Sequence, residues 1–553
     1  MRYWLIAGLI FSLTLALSPA GSFRYQSTAF LFEDDYDLLF DPARIPLIEG
    51  SRIYTNLSNF VSNQEEQFGF RTDNFFLVGG STDLIGFIYP GVVLDKYYNK
   101  TALPTGLYGR GSEIWLDTLF GDAKTIETEW LDLDGNGSYD HRVTKINERK
   151  AWDETKNMDY YIGLGYKTNG LRLGLGFLNN CAAYTNTNPG YNWIYEQRDS
   201  SLVSGALTYT VNDTFTGPDK TKSDTKRFIL SGWYDWTTLS VGLMAGFGIM
   251  SDNFNYIHTG SVYENRSPAN PTIQDYYKST SLDSLTKPRT GTTIPIGLAV
   301  FVKPKENIEN RFYLNLFTQS ERLGSGAGSY QHNTMDSTGR PGRAWLDTKT
   351  THQYRGALTS KGVDFKTKHL FRVSDRFDLG FGLEFGAWDF KDSLADTLSS
   401  LSVYEYNNGD TIAGSEDYRI TTKSAEEWLE KVTGSTKTLS IPVGFDFRLV
   451  PSLSLRLGAI HHIAWSDITT TDLMRAFEPT HTRTEYGDST FSETIGPESE
   501  LQASSETITE TKHNTYFTYG IGFNPIKNLQ IDLMGFRNLT DLTNWKLSIV
   551  FKF

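Results

Sequence analysis

The sequence predicts one all-β domain, a transmembrane antiparallel β-barrel of about 14 strands, with 16 as the alternative count. Three observations predict it: segments of about ten residues with alternating hydrophobicity, short turns alternating with long polar loops, and a last strand that ends on an aromatic residue. Composition agrees. Of 553 residues, 12 are Trp, 30 Tyr and 35 Phe, while only 21% are charged. Glycine, at 49 residues, exceeds the usual share of about 7%. The single cysteine, Cys181, excludes a disulfide scaffold. A net charge of −13 argues against a nucleic-acid partner, because phosphate binding needs clustered Lys and Arg.

The first element is an export signal. Arg2 precedes an apolar stretch from Trp4 to Leu17, and small residues follow at Ser18, Ala20, Gly21 and Ser22. The stretch is shorter than the roughly 20 residues of a spanning helix, so residues 1–20 read as a cleavable signal peptide. The mature chain is then exported, and a barrel places it in the bacterial outer membrane.

The strands show one repeated pattern. Tyr160, Ile162, Leu164 and Tyr166 share a face, opposite Tyr161, Gly163, Gly165 and Lys167. Asn169-Gly170 then makes a hairpin turn. Leu171, Leu173, Leu175 and Phe177 continue the apolar face, against Arg172, Gly174 and Gly176. The same alternation recurs over 239–249, 379–386, 439–448 and 453–458. Charged residues fall on the glycine face, and the other face is apolar. That polarity fits a wall with lipid outside and a polar lumen inside. From Asn157 to Phe553 there are about 14 segments, with up to three more between Ser51 and Leu94. The Asn169-Gly170 and Asp235–Thr238 turns both read as periplasmic, yet an odd number of strands separates them. Either 185–224 conceals a strand or one assignment is wrong.

Short turns at Ser374–Arg376, Val450–Ser452 and Asn524–Asn528 contrast with polar loops at 252–291, 323–357, 391–435 and 467–512. Loop 391–435 has 9 acids against 4 bases, and loop 467–512 has 10 against 3. Long acidic extracellular loops account for nearly all of the negative charge. The chain closes with Trp545, Leu547, Ile549, Phe551 and Phe553 at every second position. That pattern resembles the C-terminal signal read by the outer-membrane barrel-insertion machinery, which is an expected partner together with membrane lipid and lipopolysaccharide.

Residues 31–50 form a short structured element before the first strand. Asp41 suits a helix N-cap and Pro42 the first helical position. Pro46 limits that helix to about one turn, and Gly50 allows a sharp exit. Asp34-Asp35, Leu39-Phe40-Asp41-Pro42-Ala43, Ile48 and Gly50 resemble the "DD…LFxNPAGLAxLxG" stretch of the FadL superfamily of outer-membrane barrels, which includes PorV-related proteins. The resemblance covers about 30 residues, and departs at Asp41 for Asn, Arg44 for Gly and Pro46 for Ala. It implies a 14-stranded barrel, a hatch over 21–50 inside the lumen of a barrel at 51–553, and transport of fatty-acid-like or aromatic molecules.

Candidate lumen residues are Arg172, Asp235, Glu384, Asp446, Arg448, Arg456, Asp532 and Lys546. Their mixed signs suit pairing that braces the wall better than a field across a pore. Met244, Tyr313, Phe317 and Trp388 share the inward parity and are candidates for an apolar pocket. Asp132, Asp134, Asn136 and Asp140 match an EF-hand loop around Gly137, but Val143 replaces the bidentate Glu at its twelfth position. This is a candidate calcium site in an outer loop, against the alternative of a polar Asp/Gly/Asn hairpin turn, which is the commoner origin of such a stretch. His461 and His462 point to opposite faces of a strand and cannot readily share a metal. No catalytic signature is present, and no cofactor is expected. The reading favoured is transport of hydrophobic small molecules. The alternatives are a general diffusion porin and a non-transport adhesin or secretion-complex scaffold.

Overall fold

The computed structural model describes residues 22–58, 71–102, 123–187, 193–202, 204, 206–266, 275–339, 342–410, 414, 416–497, 503–536 and 546–553. The expected signal peptide at 1–20 and Trp545 lie outside the described residues, as does the side chain of Lys546. No helix among the described residues is long and apolar enough to cross a membrane.

One antiparallel sheet of 22 strands contains every described strand. On the first side of the wall run β1 (Arg52–Ser58), β2 (Arg71–Ser81), β3 (Ile88–Ala102), β6 (Trp152–Thr168) and β7 (Leu171–Thr187). The wall continues through β10 (Asp219–Asp235), β11 (Leu239–Asn265), β12 (Tyr276–Lys305), β13 (Ile308–Leu323) and β15 (Arg343–Ser374). It is completed by β16 (Phe377–Asn407), β17 (Tyr418–Val450), β18 (Leu453–Tyr486), β20 (Ala503–Ile526), β21 (Leu529–Phe536) and β22 (Lys546–Lys552). Each pairs with the next, and β22 pairs with β1 from Arg52↔Lys552 to Ser58↔Lys546. The circuit therefore closes on sixteen strands, the larger of the two expected counts, not 14. Closure leaves no edge in the wall, as a lipid environment requires.

The parity conflict resolves at β10. That strand begins at Asp219, inside the region suspected of concealing one, so β7 and β10 separate the two periplasmic turns as an even pair. Six further strands stand beyond the wall: β4 (Ala123–Leu131), β5 (His141–Arg149), β8 (Trp193–Ser201), β9 (Leu207–Thr216), β14 (Gly328–Thr338) and β19 (Phe491–Ile495).

The four long loops are mostly strand. β16 and β17 run on through 391–407 and 418–435, and β18 reaches 34 residues. At about 3.3 Å per residue that is roughly 110 Å of chain, against an apolar band of about 25 Å. These extensions have water on both faces, so hydrophobic alternation disappears and polar composition reads as loop. What remains is β propensity in Thr, Tyr, Val and Ile. Cross-strand hydroxyl pairs such as Thr348–Ser402 (3.1 Å) and Thr469–Thr507 (2.9 Å) hold the register.

The apolar face does point outward. Ile162, Leu164, Leu173, Leu175, Phe228, Leu230, Leu243, Phe247, Phe381 and Leu383 are all exposed, while their neighbours along each strand turn into the barrel. Tyr166, Tyr234 and Trp236 lie at the short-turn rim of this band. At that rim Asn169 (φ 38°) and Gly170 (φ 81°) form the tight β6–β7 turn.

Candidate functional site

The sequence begins its described part inside the barrel. Helix α1 (Phe23–Ser27) is capped by Ser22, and α2 (Asp35–Leu38) by Asp34 in a capping box with Asp37. The cap at Asp41 differs from expectation. Its carboxylate holds a turn at Ala43 N–H (3.2 Å), and only a 3-10 turn at Ile45–Leu47 follows. Gly50 exits at φ 71°, and a Cβ there would lie 2.7 Å from the Phe553 carbonyl oxygen. Glycine is thus required where the plug joins the wall, beside the chain end.

Residues 22–50, the segment expected to be a plug, pack against the inner face of the wall. Tyr36, Leu39, Phe40, Ile45 and Ile48 join Tyr54, Leu77, Val93, Tyr161 and Leu178 of the wall in one buried apolar cluster. The inward glycines provide clearance for it. A Cβ on Gly174 would lie 2.2 Å from the Ala43 nitrogen, one on Gly165 2.6 Å from Pro46, one on Gly444 2.4 Å from the Thr28 oxygen and one on Gly458 2.4 Å from the Ala29 nitrogen. The alternation with glycine therefore records plug contact as well as lumen polarity. Gly174→Val is expected to dislodge the plug and give ion-conducting events in a planar bilayer. Gly232→Ala, whose Cβ meets Leu173 at 3.4 Å and the Arg172 carbonyl oxygen at 3.9 Å, should behave as the parent protein.

Polar contacts complete the seal. Glu33 accepts from Arg44 of the plug (2.7 Å) and Arg311 of β13 (2.7 Å), with Lys368 of β15 at 3.8 Å. Burial opposes charge on Glu33, but these three cations outweigh it and hold the carboxyl far below its usual range. Arg44 lies over the rings of Trp233 (5.7 Å) and Phe301 (5.2 Å). Arg172 covers Trp233 at 5.3 Å, and Arg311 covers Phe301 at 5.0 Å. Guanidinium and aromatic groups therefore alternate from β7 to β13, with the plug's Arg44 in the middle. Asp41 accepts from Trp233 Nε1 (2.6 Å), Arg52 reaches Asp35 (2.8 Å), and Lys368 donates to the Tyr25 hydroxyl (2.7 Å). Between the plug and the short-turn rim lies a charged cavity of about 490 Å³, lined in part by Arg24, Glu33, Arg44, Arg172, Asp235 and Arg311.

Seven of the eight expected lumen residues fall into ion pairs, and the side chain of the eighth, Lys546, lies outside the described residues. Arg172, 2% exposed, grips Asp235 with two bonds of 2.7 and 2.6 Å. Arg456 binds Asp532 at 2.6 Å and Asp446 at 3.5 Å, and Asp446 also meets Arg24 of the plug at 3.1 Å. Glu384 faces Lys366 at 3.7 Å, and Arg448 faces Asp378 at 3.4 Å. The four apolar candidates separate. Met244 packs beside the plug cluster, Tyr313 packs on Phe301 (5.5 Å), and Phe317 and Trp388 lie higher. Ser440 meets His462 (2.8 Å) and Thr515 meets His461 (3.0 Å) on opposite faces.

Asp132, Asp134 and Asp140 bring carboxylate oxygens within 4.8 Å of one another at the exposed β4–β5 tip. The Gly137 N–H, with those of Gly135 and Asn136, holds the Asp132 carboxyl below its usual range. Val143, where a twelfth-position ligand belongs, is buried in β5.

These features define a transmembrane β-barrel with its N-terminal segment packed against the inner face, the architecture of outer-membrane proteins. No family model and no curated protein matches the sequence. Solved structures align along most of the chain. The Ralstonia pickettii toluene transporter TbuX shares 9% identity over 98% of this chain and all of its own, with a TM-score of 0.31. The Pseudomonas putida toluene transporter TodX shares 10% over 97% and 99%, at 0.28. The Acinetobacter baumannii siderophore receptor PiuA shares 8% over 92% and 82%, at 0.29. Likeness at this level does not bear on cargo.

Proposed function

We propose that this protein is an outer-membrane channel for hydrophobic small molecules, kept shut to ions by its N-terminal plug. The observation that carries the reading is the plug itself, which reaches wall strands right round the circuit, from Arg52 and Gly165 through Arg311 and Gly380 to Thr518. A general diffusion porin needs an open aqueous lumen. The FadL-like character of residues 34–50 supports a hydrophobic cargo. The whole protein in a planar bilayer is expected to be nearly silent, while cells expressing it take up a neutral hydrophobic fluorophore faster than cells without it. Large steady ohmic openings would favour the porin. Silence with unchanged uptake would favour a scaffold.

The 132–140 tip is read as a weak calcium site that stiffens an outer hairpin. Calorimetric titration with calcium is expected to give a dissociation constant near 10⁻⁴–10⁻³ M, the range of extracellular modules. Asp132→Asn should abolish the heat, and an unchanged titration in that variant would place any calcium elsewhere.

A further inference from the structure

Higher in the lumen, the wall carries a patch made of three cross-strand rows over β13, β15 and β16. The lowest is Phe317–Gly362–Trp388, the next Gln319–Ser360–Phe390, and the upper Glu321–Leu358–Asp392. All nine residues have inward parity, and successive rows are about 7 Å apart along the strand. The lower part is aromatic. A Cβ on Gly362 would lie 2.5 Å from the Phe317 ring and 2.7 Å from the Trp388 Cβ, so these two side chains close over the glycine. Phe390 covers Gly434 in the same way, at 2.4 Å.

The upper part is acidic and incompletely paired. Glu321 and Gln319 are each 2% exposed. Gln319 donates its amide to one Glu321 oxygen, which leaves Glu321 Oε2 and Gln319 Oε1 buried without a hydrogen bond among the described residues. Asp252 Oδ1, on β11, is in the same condition. The nearest cation is Arg289 of β12, loosely placed at 4.0 Å from Glu321 and 3.7 Å from Asp392. Arg227 lies in the Gln319 row but three strands away, on β10. Asp252 is the cross-strand partner of Arg289, so three carboxylates face one guanidinium, and three buried acceptors lack donors among the described residues. Native structures rarely leave such groups unpaired.

We propose that this patch recognises a hydrophobic amine. The ammonium group donates to the free oxygens of Glu321, Gln319 and Asp252, and the apolar body lies against Phe390 and Trp388. The inference rests on the channel reading above and narrows its cargo. A carboxylate head, as on a fatty acid, would meet three acids of its own sign.

Ligand-observed NMR on the whole protein tests this with 2-phenylethylamine, 2-phenylethanol and 3-phenylpropionate at pH 7. The amine is expected to bind at least tenfold more tightly than the alcohol, with the carboxylate weakest. Glu321→Gln should bring amine and alcohol within about threefold. Asp392→Asn, at a more accessible acid, should reduce the preference at least threefold and serves if the first variant does not fold. Equal binding of amine and alcohol overturns the amine inference and leaves the channel reading standing. A preference unchanged in both variants overturns the location. No binding by any of the three also overturns the amine inference, and the uptake measurement above then decides the channel reading separately.

Discussion

Removal of residues 22–49 is expected to turn a nearly silent protein into a steady ohmic channel. The expectation follows from how the two parts are joined. Wall closure does not depend on the plug, because β1 pairs with β22 in continuous register and Ser51 exchanges backbone bonds with Phe553. Retaining Gly50 keeps the one backbone conformation that fits beside the Phe553 carbonyl. The plug, in contrast, fills the lumen at the height of the apolar band. Without it, a sixteen-stranded wall is wide enough for an aqueous channel, as in porins of that strand number. The inward glycines that now receive Ala43, Thr28 and Ala29 would then leave a smooth wall with few obstructing side chains. Single-channel recording reads the result, and gel mobility before and after heating shows whether the shortened chain still folds. A folded deletion barrel that stays silent would mean that something other than the plug occludes the lumen, and would overturn the mechanism.

How much of this was legible in the sequence depends on which solvent each residue meets. Where lipid lies outside and plug or water inside, period-two alternation is strong, and Arg172, Asp235, Asp446, Arg456 and Asp532 could be assigned to the lumen from parity alone. Arg311 and Lys368 share that parity with Tyr313 and Lys366 and were findable by the same argument. Glu33 was not, because the plug has no period against which to read it. Above the membrane both faces are wet, the alternation fades, and 391–435 read as loop although it is mostly strand. The departures from the FadL-like stretch proved informative in place. Asp41 binds Trp233, Arg44 lies over the rings of Trp233 and Phe301, and Pro46 abuts Gly165. Each is a point where plug and wall meet.

Glu33→Gln is expected to loosen the plug without opening the barrel. Among the described residues the carboxylate is the one anion shared by Arg44, Arg311 and Lys368. Neutralising it leaves three cations packed together, of which Arg311 keeps Glu309 at 2.6 Å while Arg44 and Lys368 lose their carboxylate, and breaking a buried pair in this way costs about 3–5 kcal/mol. The wall ladder is unaffected, so the loss should appear as brief conducting events and as a plug more accessible to protease, with the barrel still heat-resistant. Lys368→Met in the same chain should recover part of the loss, since it removes one of the stranded charges, whereas Arg311 stays paired with Glu309. The pH dependence has a definite sign. The Glu33 carboxyl titrates lower in the folded protein than in the unfolded chain, where it is near 4.3. Its contribution is therefore fully present above about pH 4.3 and fades only as the pH falls well below that. The parent protein should stay silent at pH 5, where the Glu33→Gln variant flickers as it does at pH 7. Acid-induced opening of the parent at pH 5 would show that Glu33 is not the group that holds the plug, and equal closure of both proteins would show that the apolar cluster of Leu39, Phe40 and Ile45 suffices without it.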